Sequence, residues 1–214
     1  GVINYGTVNA NGGALNGAIA NDAGGIFNVG GRLTSDSTFN NANSATLAVA
    51  ATGDYVLTGL LTNNGVVAIT AGGSLAANGG LLNNVGGVIT NNGTLTDALD
   101  NAGLVINNGT YNADVASNTG TINNTVGATW NGNVNTAGTV NNDGTINGSL
   151  TQTAGTTINN GIITGAVTIA GGLFAGTGSY GGLTVNGGAT VAPGVGTMSV
   201  AGNVIFNAGS IYQV

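Results

Sequence analysis

The sequence predicts an all-β chain: a right-handed parallel β-helix, or β-solenoid, of about 12 coils with three short strands per coil. Three observations predict it. The composition is hostile to helices, a repeat of about 17 residues runs along the chain, and stacking the repeats aligns apolar residues in three columns. Of 214 residues, 42 are Gly, 34 Asn, 29 Thr and 28 Ala, about three-fifths of the whole. Gly, Asn and Thr are poor helix formers, and Gly and Asn interrupt every window in which a 3.6-residue period would have to run. One Pro and the lack of a Gly-X-Y period exclude collagen. Leu, Ile, Val and Phe make up about a quarter of the chain, above the roughly 20% below which disorder is expected. A net charge of −6 is too small to hold a chain of this length open.

The repeat is clearest from residue 87 onward, in blocks opening at Gly87, Gly103, Gly120, Gly138, Gly155 and Gly172. The first apolar column is Ile89, Val105, Ile122, Val140, then Thr157 or Ile158, then Phe174. The second is Leu95, Tyr111, Trp130, Ile146, Ile163 and Tyr180. The third is Leu99, Val115, Val134, Leu150, Val167, and Leu183 or Val185. Toward the N-terminus a block from Gly6 gives Val8, Leu15 and Ile19. Two shorter blocks, from Gly59 and Gly73, give Leu61 with Val67 and Leu75 with Leu82. Residues 40–58 fit no register.

Each block reads as one coil, with one large apolar side chain per strand pointing inward and its neighbours outward. A single coil cannot bury that face, so stacking is what makes the repeat stable. Asn-Gly and Asn-Asn-Gly recur between the first and second columns, where the chain must turn. Asn92, Asn108, Asn124, Asn142 and Asn160 are expected to hydrogen-bond along the stack. At about 4.8 Å per coil the rod is roughly 55–60 Å long. It is one elongated domain, with residues 1–188 forming the repeat stack and residues 189–214 continuing the same solenoid with a changed pattern. A β-sandwich, which would need strands at spacings of about 8–12 residues joined by hairpins, does not explain columns recurring at about 17.

That changed pattern carries a family likeness. Residues 189–214 contain Ala192-Pro193-Gly194, Gly196-Thr197, a short strand at Met198–Val200, Gly202-Asn203, a second strand at Val204–Phe206, then Gly209-Ser210 and Tyr212. This resembles a segment common late in the passengers of bacterial autotransporters, ahead of their membrane β-barrel. The resemblance implies a passenger, or part of one, exported by a Gram-negative cell to its surface or beyond. It also implies a β-barrel translocator in the parent chain. A chain without Cys, with one Pro and mainly coil-to-coil contacts, suits passage of a pore unfolded and winding from one end. The sequence opens in mid-pattern without a signal peptide, which reads as a mature or excised fragment.

The charges exclude most activities. Arg32 is the one cation, and Lys, His, Glu and Cys are absent. Phosphates cannot be neutralised, so neither nucleic acid nor anionic lipid is an expected partner. No run of about 18 apolar residues predicts insertion of this fragment into a membrane. Ser and Thr have no His or Lys to act as base, thiolate chemistry is impossible, and no phosphate loop occurs. No catalytic residue, cofactor site or metal-ligand set is assigned. The one candidate binding cluster is Asp97, Asp100 and Asp114, near the third column of adjacent coils. Acidic groups on such a surface serve Ca²⁺ or sugar chemistry in polysaccharide-active β-helices, whereas the plainer reading is solvated turn charges. Trp130, Tyr111 and Tyr180 lie in an inward column and read as core. Thr94, Thr110, Thr129 and Thr145 form an outward file, with Thr96, Asn112, Asn131, Asn147 and Thr164 two residues on. A partial Thr-x-Thr array of this kind makes ice binding a remote alternative, although Thr also simply suits exposed strands.

The expected function is therefore non-enzymatic: an adhesin, stalk or self-associating (biofilm or aggregation) factor. It would act through polar Asn and Thr faces on a surface glycan, a host protein or a second copy. The alternative is a β-helix that binds or cleaves polysaccharide through the Asp cluster.

Overall fold

A computed structural model, describing all of residues 1–214, is all-β and contains no helix. Short parallel strands stack into a solenoid of about 12 turns with three strands per turn. One coil illustrates the rest. Leu99–Asn101 lies on the first face, Leu104–Asn107 on the second and Thr110–Asn112 on the third. Stacking repeats this face by face. On the first, Leu61, Leu81, Leu99 and Val115 are in register; on the second, Val67, Ile89, Val105 and Ile122; on the third, Leu75, Leu95, Tyr111 and Trp130. The second-face strands form an uninterrupted parallel sheet of 12.

Period-two alternation turns one side chain per strand inward, and stacking fuses these residues into one hydrophobic cluster running from Ile19 to Val191. The aromatic members pack on one another inside it. Tyr111 and Trp130 lie parallel with ring centroids 4.0 Å apart, and Phe27, Phe39 and Tyr55 form an edge-and-stack trio. The Gly that opens each block from residue 87 onward is required by space. A Cβ on Gly103 would run into the carbonyl oxygen of Gly87, and one on Gly120 into that of Gly103.

Coil length is less regular than a period of 17. It falls to 16 residues between Leu99 and Val115 and rises to 22 between Phe39 and Leu61. The long N-terminal coils explain the misread blocks. Those from Gly59 and Gly73 belong to one coil, whose inward residues are Leu61, Val67 and Leu75, and the next first-face residue inside is Leu81 while Leu82 points outward. Residues 40–58 complete the coil begun at Phe39, with strands Thr46–Val49 and Asp54–Leu57. In the first coil the second-column place is held by Gly13, opposite Leu33, and Leu15 sits two residues on, opposite Ser35.

The corners carry buried amides. At the first corner Asn4, Asn21, Asn41, Asn63, Asn83, Asn101 and Asn118 form a continuous ladder, each Nδ2 donating to the next Oδ1 at 2.7–2.9 Å. Its last rung donates to Thr136 Oγ1. The second Nδ2 proton goes to backbone, as when Asn41 donates to Val66 O at 2.9 Å. A second ladder, Asn91, Asn107, Asn124, Asn142 and Asn159, runs along the second corner at 2.7–2.8 Å. The expected stacking of Asn92, Asn108, Asn124, Asn142 and Asn160 mixed two neighbouring columns. Asn124 and Asn142 belong to the buried ladder, whereas Asn92, Asn108 and Asn160 stand outside it with Thr125 and Asp143.

Thr157 takes the inward place in the first column and Ile158 is turned out, 39% exposed. The strand's register decides this. Turning Ile158 inward would swing Asn159 out of its ladder, because a one-residue slip exchanges the two faces. Residues 189–214 add further strands to the same stack: Thr190–Ala192 on Leu173–Ala175, Val204–Phe206 on Leu183–Val185, and Ile211–Tyr212 on Thr190 and Val191. Leu183 continues the third column, and Val185 takes a first-corner position in line with the Asn ladder.

Candidate functional site

The three carboxylates singled out by sequence lie on two adjacent coils. Asp97 and Asp114 sit at the third corner, between third and first faces, while Asp100 points outward from the first face between Leu82 and Ser117. Asp97 accepts the Gly80 and Ala98 N–H groups, both at 2.6 Å, and holds a φ of 150°, a backbone state a side chain rarely adopts. Asp114 accepts the Asn133 N–H at 2.6 Å. Asp36 and Asn133 play the same part elsewhere at this corner, accepting from Gly17 and Ser149. These side chains link one coil's corner to the next, where a wider turn leaves a backbone donor without a strand partner. No three His, Cys, Asp or Glu side chains anywhere are grouped to hold a metal ion. Arg32 lies 3.9 Å from Asp54, with both side chains exposed on the third face.

The inward aromatics are structural. Trp130 is fully buried and donates from Nε1 to Ala113 O at 2.9 Å, and the Tyr111 hydroxyl donates to Asp97 O at 3.2 Å. Burial drives the Tyr111 phenol far above its ordinary pKa, with the Asp97 charge adding to the shift. Burial likewise pushes Tyr55 up to about 12, against a hydrogen bond to Ser35 that lowers it. Tyr180 is raised to about 12 by burial and then by Tyr212, and its hydroxyl has no partner.

Two outer surfaces remain. On the third face Thr94, Thr110, Thr129 and Thr145 stand in one file, which ends at Ile162. Beside it Asn131 Nδ2 donates to Asn112 Oδ1 at 2.7 Å, and Asn147 Nδ2 to Asn131 Oδ1 at 2.8 Å. This is a flat polar strip with amide and hydroxyl groups at the inter-strand spacing of about 4.8 Å. The other surface, the outside of the second face, was missed by counting inward columns alone. Its outward residues include Ile26, Val66, Val88, Leu104, Ile106 and Leu173, and no charged residue lies on any of its strands. The signal was present in sequence as the unbroken apolar run Leu104-Val105-Ile106, in which only the middle residue can face the core.

Four recesses indent the rod. The recess at the C-terminal end, of about 370 Å³, is lined mainly by inward positions such as Leu183, Val204 and Tyr212, and one of about 520 Å³ beside the first strand is lined by Val2, Ile3, Ile19, Ala20 and Asn40 among others. None brings an acid and a base together.

The fold and its surfaces thus define a β-solenoid with polar and apolar outer strips. In comparisons with known proteins, no family model, no curated protein and no solved structure matches the chain.

Proposed function

We propose that this chain is a non-enzymatic passenger fragment of a Gram-negative autotransporter, exported to the cell surface and acting there as an adhesin or stalk that also associates with its own kind. The observation that carries the reading is a long regular rod whose outer strip offers repeated hydrogen-bonding groups. The Ala192-Pro193-Gly194 to Tyr212 segment supports placing it late in a passenger. Binding would come from many weak contacts between the third-face Thr and Asn files and a glycan or a host protein, each net contact contributing about 1 kcal/mol or less. A β-barrel translocator belongs to the same proposal.

The test is display. Cells carrying the chain on their surface should clump or adhere better than a strain lacking it. Replacing Asn131 and Asn147 with Asp should weaken adhesion several-fold while the rod stays folded. Equal clumping and adhesion in both strains would remove the reading.

A further inference from the structure

We infer that the outside of the second face is the surface through which two copies of this chain pair side by side. The eight charged residues of the chain are distributed over the other two faces and the corners: Asp100 on the first face, Arg32 and Asp54 on the third, and Asp22, Asp36, Asp97, Asp114 and Asp143 at corners. With a net charge of −6, two copies repel wherever Asp meets Asp, and the second face is the broad surface on which they do not.

That face also carries the chain's densest outward apolar strip. Val66 and Ala68, then Val88, then Leu104 and Ile106 follow one another in three successive coils, and Leu173 with Ala175 repeats the pattern farther along. The opposite sides of these strands already fill the core, and the outward residues are left only partly covered, Val66 being 38% exposed. Strands of up to four residues in a sheet of 12 give a surface of about 13 Å by about 55 Å, or roughly 700 Å² per copy. A standard stable interface takes about 800 Å² from each partner.

The pattern along the rod sets the arrangement. Val66, Val88, Leu104 and Ile106 are followed by Thr121, Asn123, Thr139 and Asn141. Inverting one rod about its middle would lay the apolar coils on the polar ones. A two-fold axis parallel to the rods keeps equal coils level, apolar on apolar throughout, and sets Leu104 of one copy across from Ile106 of the other. Such a contact is self-complementary and closes at two copies. For its setting this pairing rests on the self-association part of the proposed function, but it stands or falls on the second face alone. Level pairing joins rods that point the same way, as neighbours on one surface do, so failure to clump cells leaves it intact.

Sedimentation of the purified chain is the test. The expected mass at tens of micromolar is twice the 20.4 kDa of one chain. Val66→Asp with Leu104→Asp places like charges in the contact and should weaken pairing at least about 100-fold, with an unchanged circular dichroism spectrum because both positions face outward. Thr94→Asp with Thr129→Asp, on the third face, should leave the dimer intact. A spin label on Ala23→Cys should report a distance under about 30 Å between level rods, against more than about 40 Å for inverted ones. A monomer at hundreds of micromolar, a dimer indifferent to the second-face charges, or the long label distance would each overturn the proposal.

Discussion

Two columns of asparagine run along the second corner, one residue apart, and meet opposite fates. Asn91, Asn107, Asn124, Asn142 and Asn159 are buried, and each amide is held by the next. Asn92, Asn108 and Asn160 are exposed, and in that column Thr125 and Asp143 stand in for asparagine. The inner column tolerates no such change over five coils, whereas the outer one does, because a buried amide must satisfy both its donor and its acceptor while an exposed one has water. The same rule explains the ladders' limits. At the second corner, before Asn91, the place is apolar, with Val29, Val49 and Ile69 in line. At the first corner, after Asn118, it passes through Thr136 and Gln152 to Ile169 and Val185. Either an unbroken ladder or an apolar column works. The transition leaves Gln152 Oε1 without a partner.

The largest expected effect separates the two columns directly. Asn107→Asp puts a charge where Oδ1 must face Asn91 and the other atom must donate to Asn124, and should cost about 3–5 kcal/mol. Asn108→Asp, the adjacent residue on the outside, should change stability by less than about 0.5 kcal/mol. Chemical denaturation of both variants measures the gap, and equal losses would break the distinction. Next in size is the polar residue inside the first column. Thr157 Oγ1 is buried without a partner, so Thr157→Val should stabilise by about 1 kcal/mol, while Val140→Thr one coil earlier should destabilise by about 1–2 kcal/mol. The smallest effect comes from the buried tyrosines. Tyr55, Tyr111 and Tyr180 hold their protons more tightly when folded than when unfolded. Their contribution is complete below pH about 10, the unfolded value, and is lost as pH rises from there toward 12. The melting temperature should therefore fall above pH 10. Tyr111→Phe should flatten that fall.

Proteolysis offers a cruder contrast of the same kind. Trypsin has one site, Arg32, and the strands on either side of it are hydrogen-bonded into the stack. Subtilisin digestion spread evenly along the native chain would contradict a packed rod.

Much of this arrangement is legible in the sequence because inward strand positions demand bulk. Leu95, Tyr111, Trp130 and Ile146 could be aligned without a structure for that reason. Legibility fails where bulk stops distinguishing inside from outside. In the N-terminal coils Val49, Leu57 and Ile69 occupy additional inward positions and the coils lengthen, so no fixed period aligns residues 40–58. In Asn-Asn pairs both residues look alike, and only the strand register tells Asn91 from Asn92. At Thr157-Ile158 the local preference for Ile inside loses to the ladder position of Asn159. The Asp cluster was visible as residues, but the task of Asp97 and Asp114 was not, since it depends on backbone donors one coil away.

The central claim is that a chain this rich in Asn and Gly is ordered by position, with amides locked inside the corners. Hydrogen exchange of the Asn side-chain amides, followed by NMR, tests it most directly. Two classes should appear: slow exchange for Asn91, Asn107, Asn124 and Asn142, and fast exchange for Asn92, Asn108 and Asn160. A single fast class across all of them would contradict the account.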